Sequence, residues 1–140
     1  MKAAVFYRIA AIILLLFALG HTLGFRQSDP KWGVAALLGS MQSIHFDVQG
    51  FSRTYWDLFV AAGFSVGVFY LFAALLAWQL GSLPAATLAL MRGTLWAFAL
   101  CFAAITAISW RYLFMIPIVF SIIITACLTA AAWLSAPPMR

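Results

Sequence analysis

The chain has 140 residues, room for one domain; 66% are apolar and only 8% charged. Soluble domains run at about 45–50% apolar and about 25% charged, and disorder needs low hydrophobicity with high net charge, so at a mean hydropathy of +1.08 an integral membrane protein remains. The net charge of +5 comes from eight Lys/Arg against three acids, with the cations scattered singly at the ends of apolar runs. That is the pattern of membrane-edge anchors and excludes a nucleic-acid face, which needs a basic cluster.

A bilayer core takes about 20 helical residues. Four apolar runs meet or approach that length, at residues 9–25, 58–80, 85–110 and 112–134. The first follows Lys2 and Arg8 and precedes Arg26. It imitates a secretory signal, with Ala18-Leu19-Gly20 as a small-x-small site, but reads as a true first span. Gly20 and Gly24 end it as GxxxG, and Gly63 and Gly67 repeat the motif in the second span. Such faces pack closely against a second copy or a membrane partner. Arg92 lies inside the third run, from where it can snorkel outward. Pro117 lies early in the fourth, so that helix starts near Met115 or kinks there. Ser121, Thr125 and Thr129 share one face of it, as Ala99, Ala103 and Ala107 do on the third span; both read as packing stripes. Cys101 and Cys127 have neither CxxC nor metal-ligand spacing and read as small hydrophobes. The tail, with Pro137-Pro138, should fray.

The link from Arg26 to Asp57 is the long one. Asp29-Pro30 reads as an N-cap followed by Pro at the first helical position. Val34, Leu37, Leu38, Met41 and Ile44 then recur at helical spacing, in a stretch too short to span. The expectation is an interfacial or re-entrant helix. Ser43–Gln49 alternates polar and apolar, so an extended chain puts His45 and Asp47 on one face. A carboxylate beside an imidazole is the pairing that acid–base chemistry uses. Thr54-x-x-Asp57 is a capping box with Asp in the acidic place. Asp57 also lies four residues from Arg53, and Arg53 or Arg111 is its expected ion-pair partner.

With four spans, this link and the turn Trp110–Tyr112 lie on one side of the membrane. Both histidines, all three aspartates and four cations then gather there, while the other side carries only cations. The candidate catalytic residues are therefore His21, His45, Asp47 and Asp57. Arg53, Tyr55, Trp110 and Arg111 are the candidates for orienting a ligand. A bis-histidine haem on His21 and His45 is the one cofactor that the residues suggest, and it is disfavoured because only His21 lies in a clear span; no cofactor is expected. The Lys/Arg count ties at four against four between the two sides. An N-terminal flank empty of acids tips the orientation toward cytoplasmic termini.

Gly20-His21-Thr22-Leu23-Gly24-Phe25, with Arg53-Thr54-Tyr55-Trp56-Asp57 and the glycine-rich start of the second span, resembles a family of short four-helix bacterial membrane proteins with no assigned function. The likeness covers roughly residues 15–80. It implies a bacterial inner-membrane setting and no activity. The layout is also loosely similar to membrane isomerases of the sterol-isomerase type, which carry acids and histidine inside the helices. The combined expectation is an all-α, four-helix transmembrane bundle with an interfacial segment between its first two spans. It would bind a lipid-like or polycyclic apolar molecule at one face, with proton-transfer chemistry of the isomerase or cyclase kind. The alternatives are a non-catalytic accessory subunit and a haem- or quinone-linked electron carrier.

Overall fold

Four helices long and apolar enough to cross a membrane dominate the computed structural model, which describes residues 2–135. In chain order the helices are α1 (Lys2–Gly24), α2 (Ala35–Ser43), α3 (Tyr55–Leu80), α4 (Ala85–Leu90), α5 (Arg92–Tyr112) and α6 (Met115–Leu134). A 3-10 turn at Pro30–Trp32 precedes α2, and two short strands, β1 (His45–Val48) and β2 (Phe51–Thr54), separate α2 from α3. The fold is all-α with this one hairpin. Of the tail expected to fray, residues 135–140, Ser135 is instead buried and bonded to Ala131 O, and residues 136–140 lie outside the described residues.

Local sequence explains the boundaries. α1 begins at Lys2 rather than near residue 9, because nothing in Lys2–Arg8 breaks a helix. Ala3, Tyr7, Ala10, Ala11, Leu14 and Ala18 are buried at three- and four-residue spacing along it. The third apolar run does not continue through Arg92. The Met91 amide is shared between the carbonyls of Thr87 and Leu88, at 3.2 and 3.1 Å, which tightens the last turn of α4. Arg92 then opens α5 instead of lying inside one long helix, and Gly93 beside it is a poor helix former. α6 starts at Met115, as Pro117 suggests: in the first turn its missing N–H has no intrahelical partner to lose.

Two compact units divide the chain, with α1 and α3 each contributing to both. One unit comprises Met1–Phe17 and Tyr70–Arg140. Alanine is the commonest residue of its core, with Ala10, Ala11, Ala73, Ala77, Ala131 and Ala132 set among Leu14, Leu80, Leu95, Ile124 and Leu128. Lipid is as apolar as leucine, so helices associate where small residues let backbones approach. Many other large side chains point outward: Val5, Leu16, Phe72, Leu75 and Ile122 are exposed. Gly81 marks one close approach; a Cβ there would stand 3.2 Å from Ala4 O, Tyr7 Cβ and Arg8 Cγ. The stripe on α6 does more than pack. Thr125 Oγ1 lies 2.9 Å from Thr106 Oγ1 of α5, and Thr106 also donates to Phe102 O.

Tyr7 is fully buried, and its hydroxyl lacks a hydrogen-bond partner among the described residues. The neighbouring Ser135 hydroxyl donates to Ala131 O at 2.8 Å and keeps its lone pairs, so it is the group placed nearest to accept from Tyr7. An unsatisfied buried hydroxyl costs about 1–3 kcal/mol. Tyr7→Phe should therefore leave stability in detergent unchanged or raise it. A clear loss would mean that a Tyr7–Ser135 bond forms in the membrane.

Candidate functional site

The second unit, Ala18–Phe69, holds most of the polar groups singled out above. It contains the end of α1, the long link and the first half of α3. The link is ordered into three pieces. Asp29 accepts from Lys31 N at 2.8 Å and caps only the 3-10 turn. Gly33 then enters the left-handed region at φ +66°, where side chains are disfavoured. The helix therefore starts at Ala35, five residues later than Asp29-Pro30 suggests, and ends at Ser43.

The alternating segment becomes β1, and it pairs with β2 as a hairpin. The register is His45 with Thr54, Phe46 with Arg53, Asp47 with Ser52 and Val48 with Phe51. The two-residue turn Gln49-Gly50 has φ +50° and +83°. Both positive angles are what a type I′ turn needs to follow the strand twist. Cross-strand partners share a face, and faces alternate along each strand. One face of the hairpin therefore carries His45, Asp47, Ser52 and Thr54. The other carries Phe46, Val48, Phe51 and Arg53.

Thr54 ends β2 and caps α3. Its amide donates to Asp57 Oδ2 at 2.8 Å, while Asp57 N donates to Thr54 Oγ1 at 3.1 Å. This is the reciprocal capping box expected from Thr54-x-x-Asp57. The expected ion pair with Arg53 is not formed. Arg53 donates instead to Ser52 O at 2.8 Å and lies 5.1 Å over Phe51. The cap uses only Oδ2 of the carboxylate, and the strand carries the Arg53 side chain to the face opposite Thr54. Arg53 is still near enough for its field to reach Asp57. His45 Nδ1 lies 3.0 Å from Ser43 O and must donate to it, since a carbonyl only accepts. In a neutral ring this leaves Nε2 with a lone pair. Tyr55 packs on Phe46 with ring centres 5.2 Å apart.

His21 is used differently. Its Nε2 donates to Gly63 O at 2.9 Å, and its ring stacks on Phe25 at 5.2 Å. Gly63 lies six residues beyond Asp57 on α3, about 9 Å along the axis at 1.5 Å per residue. A Cβ on Gly63 would fall inside the Phe25 ring, and one on Gly67 would come 2.6 Å from Thr22 Oγ1. The Gly63/Gly67 face is thus covered by α1 of the same chain and is not open to a partner. Gly20 and Gly24 have no such neighbour.

Apart from Arg53 and Tyr55, which go with Phe46, the candidate residues fall into three groups. His45, Asp47 and Asp57 gather with Ser52 and Thr54 at the head of α3. His21 is tied to the α3 backbone. Trp110 and Arg111 belong to the other unit, where the Arg111 guanidinium lies 5.1 Å over Tyr112. Among the described residues no three His, Cys, Asp or Glu side chains form a metal-ligand group. Sequence reasoning missed Ser52 and the Gly63 carbonyl. The Gln49-Gly50 turn between two short alternating stretches was the signal that would have found Ser52. No sequence signal marks the carbonyl.

These features define an all-α protein with four helices suited to a membrane and one polar cluster at the head of a span. No family model matches the chain, and neither a curated protein nor a solved structure matches it. The resemblance of the GHTLGF and RTYWD strings therefore rests on those strings alone.

Proposed function

We propose that this is a small integral membrane protein, of the bacterial inner membrane with cytoplasmic termini, that binds a lipid-like or polycyclic amphiphile. The apolar body of the ligand is held among the helices, and its polar end is held by His45, Asp47, Ser52 and Asp57. The observation that carries this reading is the hairpin register: it puts two acids, an imidazole with an available lone pair and a hydroxyl beside the cap of a span. That set accepts hydrogen bonds and takes up a proton, so it suits a ligand hydroxyl or amine. If chemistry follows, His45 Nε2 is the general base and Asp47 its electrostatic partner, as in proton-transfer isomerisation. His21 is a structural donor in this reading, through Nε2 to Gly63 O.

Protein purified in mild detergent should yield a near-stoichiometric amphiphile by solvent extraction and mass spectrometry. An extract matching that of an unrelated membrane protein would overturn the proposal. The accessory-subunit reading keeps one supporting observation, the open GxxxG face at Gly20 and Gly24; that face would have to be the docking surface.

A further inference from the structure

The hairpin has a second face, and the ligand-binding reading does not use it. Phe46, Val48 and Phe51 line that face with Arg53. Val48 is 50% exposed and Phe51 59% exposed. A two-stranded hairpin is marginal in water, and displaying its apolar side there gives it no support. The hairpin is also tethered without a linker. Thr54 is at once the last residue of β2 and the cap of α3, locked in both directions by Asp57. A four-residue strand is about 13 Å long, and the headgroup layer beyond the hydrocarbon is about 5–7.5 Å thick. The apolar face therefore stays in or beside that layer at the head of a span. It is continuous through the Phe46–Tyr55 contact with α3, where Leu58 and Phe59 are also exposed.

We propose that the Phe46/Val48/Phe51 face of the hairpin is seated in the headgroup region of an anionic phospholipid bilayer, with Arg53 on lipid phosphate. The Arg53 guanidinium, held over Phe51 with one donor used by Ser52 O, has further N–H groups for a phosphate. Arg26, Lys31 and Arg53 are matched by Asp29, Asp47 and Asp57 in the same unit, so the preference for anionic lipid rests on the placing of Arg53 on the lipid-side face. Asp47 and Ser52, on the opposite face, are turned away from lipid. This inference rests on the membrane assignment and is independent of the ligand.

Nitroxide labels at positions 47, 48, 51 and 52, each introduced as a single cysteine in a Cys101→Ser/Cys127→Ala background, test it by power-saturation electron paramagnetic resonance. The protein is reconstituted in phosphatidylcholine vesicles containing phosphatidylglycerol. Labels at 48 and 51 should collide severalfold more with oxygen than with a water-soluble nickel chelate, and labels at 47 and 52 the reverse. The contrast at 51 should shrink in pure phosphatidylcholine and with Arg53→Gln. Equal chelate access at all four sites would overturn the seating, and a contrast insensitive to headgroup charge would overturn the anionic-lipid assignment. Hydroxyl-radical footprinting of the unmodified protein in the same vesicles gives a reading free of substitutions. Phe46 and Phe51 should be protected, and oxidation of both at the rate found in detergent-free, lipid-free aggregates would also overturn the seating.

Discussion

Gly63→Ala should lower stability by about 1–3 kcal/mol, the usual range for overpacking, although it adds a single methyl group. Helix propensity alone predicts the opposite sign, since alanine is favoured over glycine by about 1 kcal/mol in a helix interior. The added carbon would occupy the Phe25 ring, which stacks on His21 and contacts Phe59 and Phe64. Moving the ring also strains the His21 bond to Gly63 O. Gly20→Ala is the control: with open space around it, it should be neutral or stabilising. Phe25→Ala should cost stability alone but rescue part of the loss in the Gly63→Ala background. Equilibrium unfolding in mixed micelles measures all four chains. If Gly63→Ala stabilises as Gly20→Ala does, α1 and α3 do not meet as described.

His45→Ala should reduce retained amphiphile about tenfold or more, the scale of one hydrogen bond to a charged or polarised group, while leaving thermal stability in detergent nearly unchanged. His45 is exposed, and its ring bond to Ser43 O is local. Asp57→Asn keeps an oxygen to accept from Thr54 N but removes the charge. It should therefore also lose ligand while keeping the cap. Thr54→Ala separates the roles: it removes a partner of the cap and should destabilise the start of α3, by about 1 kcal/mol as N-cap losses do. Parallel loss of stability and ligand in all three variants would make the cluster scaffolding. No loss of ligand in any would place the site elsewhere.

What was readable in the sequence is what depends on short-range chemistry. Thr54-x-x-Asp57 announced the cap of α3, and Pro117 announced the start of α6, because both act within one helical turn. The four spans follow from apolar length alone. Asp29-Pro30 misled because Gly33, three residues further on, stops the turn it begins; the two signals are equally local, and the glycine wins by its backbone conformation. The split between α4 and α5 turns on a shared amide at Met91, which no residue type advertises. For the cluster, alternation put His45 and Asp47 on one face, but their cross-strand partners needed the Gln49-Gly50 turn. Arg53 does not pair with Asp57 because the strand carries its side chain to the opposite face of the hairpin, which spacing along the chain does not show. The fate of His21 depended on a carbonyl 42 residues away, and such a partner has no sequence signature.

The Thr106–Thr125 bond has a consequence for how α5 and α6 can slide. Ser121 and Thr129 stand one turn to either side of Thr125 on the same face of α6. Shifting α6 along its axis by one turn, about 5.4 Å, would present another hydroxyl to Thr106, so the bond sets the registry only to within a turn. Such a pair of helices is a ratchet with equivalent notches. The tether removes the degeneracy. Only Leu113 and Phe114 lie between the two helices, and both are already extended, at ψ −177° and 176°. A taut two-residue link has no slack for a notch, so inserting a few flexible residues there should release slippage that the hydroxyl stripe by itself would permit.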